Sequence, residues 1–228
     1  MSFQECRQKM ERAGLDSWQI ERFERDWLSL QAGEKGHLAE SELRPVGEIQ
    51  RLSEISQGGW GGLAQTVVIK LNGGLGTSMG LESPKGLLEV RQGLSFLDLT
   101  RQQVEHLRCE TGCLLPLLLM NSFYTQSATL ARLGSFSNGK VPLDFLQSKV
   151  PKLKADDHQP VEFSEQPGLE WCPPGHGEIY SALKGSGLLQ TLLDAGFAYA
   201  FVSNIDNLGA TLDAALLQWF AQSGLDFA

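Results

Sequence analysis

The stretch TVVIKLNGGLGTSMG, residues 66–80, decides the fold. It opens with β-branched and long apolar side chains interrupted by one lysine, the composition of a short buried strand. The chain then enters a loop with glycines at 73, 74, 76 and 80. Glycine admits positive φ and lets the backbone approach a ligand closely, so successive peptide N–H groups can line an anion pocket. Three kinds of phosphate loop compete for this reading. A Walker loop requires Gly-Lys followed by Ser or Thr, which is absent here. A GxGxxG fingerprint nearly fits Gly74 and Gly76, but Met79 stands where its third glycine belongs, and no acidic residue at a convincing strand end follows. In the third kind, a nucleotidyltransferase loop, a lysine beyond the glycines reaches phosphate. Here SPK supplies Lys85, five residues past Gly80.

Working outward, strand and helix take turns. SFLDLTRQQVEHLRCETG reads as a helix, and LLPLLLM as a strand buried on both faces. A helix follows over about SFYTQSATLARL, and DFLQS as a further strand. EIYSALKGSGLLQTLLDAG reads as a helix with glycine interruptions, AYAFVSN as a strand, and TLDAALLQWFAQSG as a helix closing on glycine. Such alternation predicts an α/β, Rossmann-like fold with a mainly parallel sheet flanked by helices, whose ligands sit beyond the carboxyl ends of the strands. The closing GLDFA reads as the beginning of another strand, so the sheet is expected to be incomplete at this end. Lys149 to Gly168, with three prolines and mixed charge, reads as a long loop or flap.

Residues 1–60 hold 19 of the 46 charged residues, and this shift in composition at QGGWGG sets the expected boundary. Residues 1–62 are read as a helical N-terminal segment and 63–228 as the nucleotide-binding domain. Within the first, SWQIERFERDWLSL places Trp18, Phe23 and Trp27 on one helical face, and SELRPVGEIQRLSEI reads as one or two further helices. An apolar stripe of this kind is most simply a packing surface.

The net charge of -8 disfavours a nucleic-acid partner. No run of 18 apolar residues is present, and the first twenty residues have no apolar core or cleavage site of a leader, so no membrane partner and a cytoplasmic location are expected. Cys6, Cys109, Cys113 and Cys172 form no CxxC pair, which leaves zinc and a disulfide framework without support. Oligomeric state is not legible in the chain.

The blocks KLNGGLGTSMG with SPK, SFLDLTRQQVEHL, LLLMNSF, FLQSKVPKL, WCPPGHGEIYSAL and FVSNIDNLGATLD, in that order, strongly resemble the UDP-glucose pyrophosphorylase family over roughly residues 66–213. The resemblance implies a nucleotide-diphospho-sugar transferase fold that makes UDP-glucose and pyrophosphate from UTP and glucose 1-phosphate with magnesium. It implies that Leu71, Asn72, Gly73 and Gly74 lie against the uridine nucleotide, that Lys85 contacts its phosphates, and that Gln147 reads uracil. It further implies that the Gly175 backbone meets the base, that His176 stands near the sugar phosphate together with Asn204, Ile205 and Asp206, and that Asp206 is associated with the metal. Apart from the resemblance, Asp206 and Asn207 read equally well as turn formers. The chain departs from the family pattern at Glu178, where an aspartate is usual, so that a longer acid is expected beside the site. It also departs at Gly86, where serine is frequent. The resemblance further implies a C-terminal half, not present here, that completes the sheet, adds a second phosphate-contacting lysine and sugar contacts, and carries a β-helix domain. A UTP-binding protein or regulatory subunit without turnover, or a uridylyltransferase for another sugar phosphate, is the alternative function.

Overall fold

A computed structural model describes residues 2–34, 36–47, 51–55, 59, 61–76 and 83–228. In chain order its helices are α1 (Gln4–Arg12), α2 (Ser17–Gln31), α3 (Phe96–Thr111), α4 (Gln126–Leu133), α5 (Ile179–Gly185), α6 (Leu188–Asp194) and α7 (Ala214–Ser223). Its strands are β1 (Thr66–Asn72), β2 (Glu89–Arg91), β3 (Leu94–Ser95), β4 (Leu117–Asn121), β5 (Asp144–Leu146), β6 (Val150–Pro151), β7 (Trp171–Cys172) and β8 (Tyr199–Asn204). They form two compact units, one of Gln50–Gln147 and Gly175–Ala228, the other of Met1–Ile49 and Ser148–Pro174.

The first unit is built on a four-stranded sheet ordered β5-β4-β1-β8. Every pair in it is parallel, with Ile69 opposite Leu118 on one side and Val202 on the other. Alternate side chains of β1 and β4 face opposite ways, and both ways are buried. Val68, Leu117 and Leu119 pack with Leu97 and Val104 of α3, Leu133 of α4 and Leu217 of α7. Val67, Ile69, Leu118 and Met120 pack with Ile179 and Ala182 of α5 and Leu188 and Leu192 of α6. LLPLLLM is therefore apolar without alternation because helices cover both faces of its strand. From β1 the chain steps outward to β4 and β5, and it later places β8 on the opposite side of β1. The order reverses at β1, the point at which sheets of this kind take their ligands beyond the carboxyl ends of the strands.

Local chemistry fixes the helix ends. Ser95 Oγ accepts from the Asp98 N–H at 3.2 Å while Asp98 Oδ2 accepts from the Ser95 N–H at 2.8 Å, a capping box that starts α3. Arg132 of α4 donates to the same carboxylate at 2.7 Å, and these hydrogen bonds, led by the one from Arg132, hold the Asp98 carboxyl at a pKa of about 2. α4 starts four residues later than its sequence suggests, because Ser122 and Thr125 close a turn on each other, Thr125 N–H to Ser122 O at 3.0 Å. The interrupted helix is two helices, α5 and α6, parted at Gly187 with φ 73°. GLDFA does not begin a strand: Gly224 ends α7 at φ 68°, and residues 225–228 take no regular structure. A strand exists by virtue of its ladder, and among the described residues none pairs with this segment. No helix among the described residues is long and apolar enough to cross a membrane.

The second unit departs most from the sequence reading. Lys149–Gly168 is no free flap. β6 pairs antiparallel with β7, and Leu153 bridges to Pro160. Leu153 and Trp171 pack against a core of Phe3, Cys6, Met10, Ile20 and Trp27. The buried face of α2 is thus Ile20 and Trp27, and Trp18 is only half-buried. Trp27 Nε1 donates to the His158 carbonyl at 3.1 Å, and Lys9 pairs with Glu170. All four cysteines are free, and burial pushes the Cys6 thiol up to a pKa of about 11. SELRPVGEIQRLSEI forms only single 3-10 turns at Glu40–Glu42 and Leu52–Glu54, with 48–50 outside the described residues. Pro45 accounts for part of this, since it lacks an N–H and drives its predecessor out of the helical region. The two units interleave along the chain, which a single boundary near residue 62 does not express; Gly58 and Trp60 of that boundary lie outside the described residues.

Candidate active site

The glycine loop leaves β1 at the reversal point. Leu75 and Pro84 form an antiparallel bridge, Gly76 N–H donates to Ser83 O at 3.1 Å, and Lys85 N–H donates to Gly74 O at 3.1 Å. The backbone itself therefore returns the SPK segment to the end of β1. Residues 77–82 between the two arms, Met79 and Gly80 included, lie outside the described residues. On the other side of β1, Leu71 is opposite Asn204, and Ile205 N–H donates to Leu71 O at 3.1 Å, which carries the pairing one residue past β8. Asp206 consequently faces Lys85, with Nζ and Oδ2 3.8 Å apart and about a third of each side chain exposed, 33% and 38%. An ion pair so exposed is worth about 0–1 kcal/mol, so a ligand can separate it at little cost.

Gln147 approaches from the far side. Its N–H donates to Asn121 O at 2.9 Å just past β5, and the side chain is 5% exposed. The amide lies on Gly73: a Cβ added to that glycine would stand 1.6 Å from Gln147 Nε2. A side chain at 73 would therefore displace the Gln147 amide. Gln147 Oε1 is buried with no hydrogen-bond partner, and leaving such an acceptor empty costs about 1–3 kcal/mol. A ligand N–H would relieve that cost.

The remaining predicted residues divide by what they expose. Gly175 has φ 111° and ψ 177°, a backbone state natural only to glycine, and it introduces the turn before α5. His176 and Asn204 are exposed and Leu71 and Gly74 half-buried, whereas Ile205 sits in the core at 3% exposure, leaving its backbone as the part that can meet a ligand. Glu178 is 3% exposed, so the longer acid expected beside the site is inside the fold at the start of α5.

The side chain of Asn72 turns inward. Its Nδ2 donates to Asn121 Oδ1 at 2.7 Å and to Thr129 Oγ1 at 2.9 Å, and Asn121 Nδ2 donates to Asp144 Oδ2 at 3.0 Å, which also accepts from Gln126 Nε2 at 2.9 Å. This network beneath the loop was missed in the sequence. Its one signal is that two apolar runs, KLN and LLLMN, end on asparagine. Lys70, the one charge within β1, is likewise structural: Nζ donates to Ser203 Oγ at 2.7 Å and Ala210 O at 3.1 Å, and burial lowers its pKa.

A sequence profile of the family described as UTP-glucose-1-phosphate uridylyltransferase matches residues 24–228. The chain belongs to this family. It is 46% identical over 157 residues to the uridylyltransferase of Solanum tuberosum, covering 68% of this chain and 33% of the relative. It is 42% identical over 167 residues to a probable one of Schizosaccharomyces pombe, covering 72% and 33%. The open and closed structures of the UDP-glucose pyrophosphorylase of Leishmania major are similar at TM-score 0.89 and 40% identity, over 98% of this chain and 48% of that one. A variant of that enzyme solved with UDP-glucose matches equally, at TM-score 0.89. This uridylyltransferase-family chain thus spans about a third of its sequence relatives and about half of the solved ones.

Proposed function

We propose that this chain binds UTP at the carboxyl ends of β1, β5 and β8 and takes part, in the cytoplasm, in making UDP-glucose and pyrophosphate from UTP and glucose 1-phosphate. The observation that carries the reading is the convergence there of an unfilled amide oxygen, Gln147 Oε1, with a lysine held by backbone bonds and facing a carboxylate. Uracil N3–H is a donor that suits Oε1, and the backbone of Leu71 and Gly175 completes the contacts to the base. The glycine-loop N–H groups and Lys85 take the triphosphate, while His176 and Asn204 attend the sugar phosphate. The phosphate oxygen of the sugar then attacks the α-phosphorus in line, the bond to the β-phosphate oxygen breaks, and pyrophosphate leaves. No covalent enzyme intermediate is required, so the chain's contribution is alignment and neutralisation of charge.

Magnesium suits the donor set only in one form. No group of three metal-ligating side chains occurs among the described residues, which does not fit an all-protein cage. One carboxylate, Asp206, does fit an ion that takes most of its ligands from substrate phosphates and water. When bound it would supply neutralising charge at the phosphate oxygens. Leaving Asp206, Lys85 becomes free to follow the phosphates.

Pyrophosphate release from UTP and glucose 1-phosphate tests the reading, together with calorimetric titration of UTP. Turnover and UTP binding are expected, with binding much weakened in Lys85→Ala. A folded chain that binds no UTP overturns the proposal. The second reading is a UTP binder without turnover, and binding in the absence of pyrophosphate release selects it.

A further inference from the structure

Asn72 makes no contact suited to a nucleotide through its side chain, yet it is 1% exposed and ends the strand from which the glycine loop springs. The orientation of its amide is fixed by a carboxylate two residues away through space. Asp144 Oδ2 can only accept, so the atom of Asn121 that meets it at 3.0 Å is the donor Nδ2. Asn121 then presents Oδ1 to Asn72, and Asn72 must answer with Nδ2, at 2.7 Å. The oxygen of Asn72 is thereby turned the other way, where it is buried and has no hydrogen-bond partner.

What that oxygen meets is Gly86, the residue after Lys85. A Cβ built on Gly86 would stand 2.4 Å from Asn72 Oδ1 and 3.2 Å from Ile205 Cγ1, so the turn that carries Lys85 is seated directly on both. Gly86 is buried and its φ is not positive, so a side chain added there would meet these contacts and not backbone strain. Ile205 is the residue before Asp206, so the same seat holds the sequence neighbour of each member of the ion pair.

We propose that Asn72 is a positioning residue: held in one orientation by the Asp144–Asn121 relay, its side-chain oxygen is the stop against which the Gly86 turn rests, and it thereby sets where the Lys85 ammonium stands relative to Asp206 and the phosphates. The phosphate part of this statement rests on the nucleotide reading above; the Lys85–Asp206 part does not.

The test separates the two. Gly86→Ala puts a methyl into the seat and is expected to weaken UTP binding roughly tenfold, the lower end of what overpacking costs. In a Lys85→Ala background the same change should cost less than about twofold, because effects that act through one residue do not add. Equal losses in both backgrounds, or no loss in either, overturn the proposal. Without nucleotide, acetylation of Lys85 by acetic anhydride, followed by peptide mass spectrometry, reports its ion pair. The rate is expected to rise about threefold or more in Gly86→Ala and to return towards wild type in Gly86→Ala/Asn72→Ser, where the shorter side chain makes room for the methyl. An unchanged rate overturns the positioning role even in protein that binds no UTP. A changed rate in protein that binds no UTP leaves the positioning role standing and sinks the nucleotide reading.

Discussion

The two compact units are held together by different means. In the α/β unit, one backbone ladder dictates where each site group stands: Lys85 and Gln147 are tied by their own main-chain hydrogen bonds to the loop after β1 and to β4, and Asp206 follows Ile205, whose N–H donates to Leu71 O of β1. In the helical unit the organising element is a cluster of large rings, with Phe3 5.8 Å from Trp27 and 5.9 Å from Phe23, centroid to centroid. Aromatic packing makes a stable body, but it does not aim small groups at a point. A parallel ladder with glycines at its end does, because it fixes the backbone and leaves room against it.

If that contrast is right, damage to the ring cluster is felt in stability and not at the site. Trp27→Ala removes a side chain 3% exposed and empties the bond to His158 O; it should cost about 3–5 kcal/mol on urea unfolding of the helical unit, followed by tryptophan fluorescence. UTP affinity should change less than about twofold, because the backbone bonds that hold the site groups lie within the other unit. A parallel collapse of UTP binding would break the comparison.

Gly73→Ala inverts the pattern. Its Cβ would land 1.6 Å from Gln147 Nε2, so the amide must leave. The loss of one buried hydrogen bond and the overpacking together amount to about 2–4 kcal/mol, which predicts UTP binding weakened at least thirtyfold by calorimetry with the unfolding midpoint of the helical unit unmoved. Gln147→Ala sharpens the point further. It keeps the cradle and deletes only the amide, so UTP should bind roughly ten- to a hundredfold more weakly while ATP is scarcely affected. An equal loss for both nucleotides would mean that Gln147 supports the loop and does not read the base.

The smallest effect concerns acid. The Asp98 carboxyl has its pKa lowered from 3.8 to about 2, chiefly by Arg132, so its contribution is complete above pH 4 and disappears as pH falls through about 2. The urea midpoints of wild type and Asp98→Asn should therefore differ at pH 6 and converge by pH 2. A gap that persists at pH 2 would assign the effect to the capping box alone. Arg132 is half exposed, which keeps the difference below those above.

Much of the α/β unit was legible. TVVIKL and LLPLLLM declared buried strands, and Ser95 and Gly112 bounded α3. Gln147 was legible only through resemblance, since nothing local distinguishes it; its close approach to Gly73 depends on β5 lying beside β4. The inward turn of Asn72 was hidden for the same reason. Strand order brings Asn72 and Asn121 into register, and one chain read on its own does not give strand order. The helical unit was misread because its core is assembled from two stretches. Trp27 announces an apolar face, but nothing beside it in sequence names His158 or Trp171 as what covers it.

That split core has a consequence in time. α1 and α2 leave the ribosome early, yet Trp171, which packs against their core, is made 144 residues after Trp27. At about 5–20 residues per second the helices spend roughly 7–29 s without it. Throughout that interval Phe3, Met10, Ile20 and Trp27 lack the rest of their cover, and the α/β strands β1, β4 and β5 are synthesised meanwhile. The order of synthesis thus completes these helices only after β1, β4 and β5 have been made, and it marks this interval as the window in which a nascent-chain chaperone has something to hold.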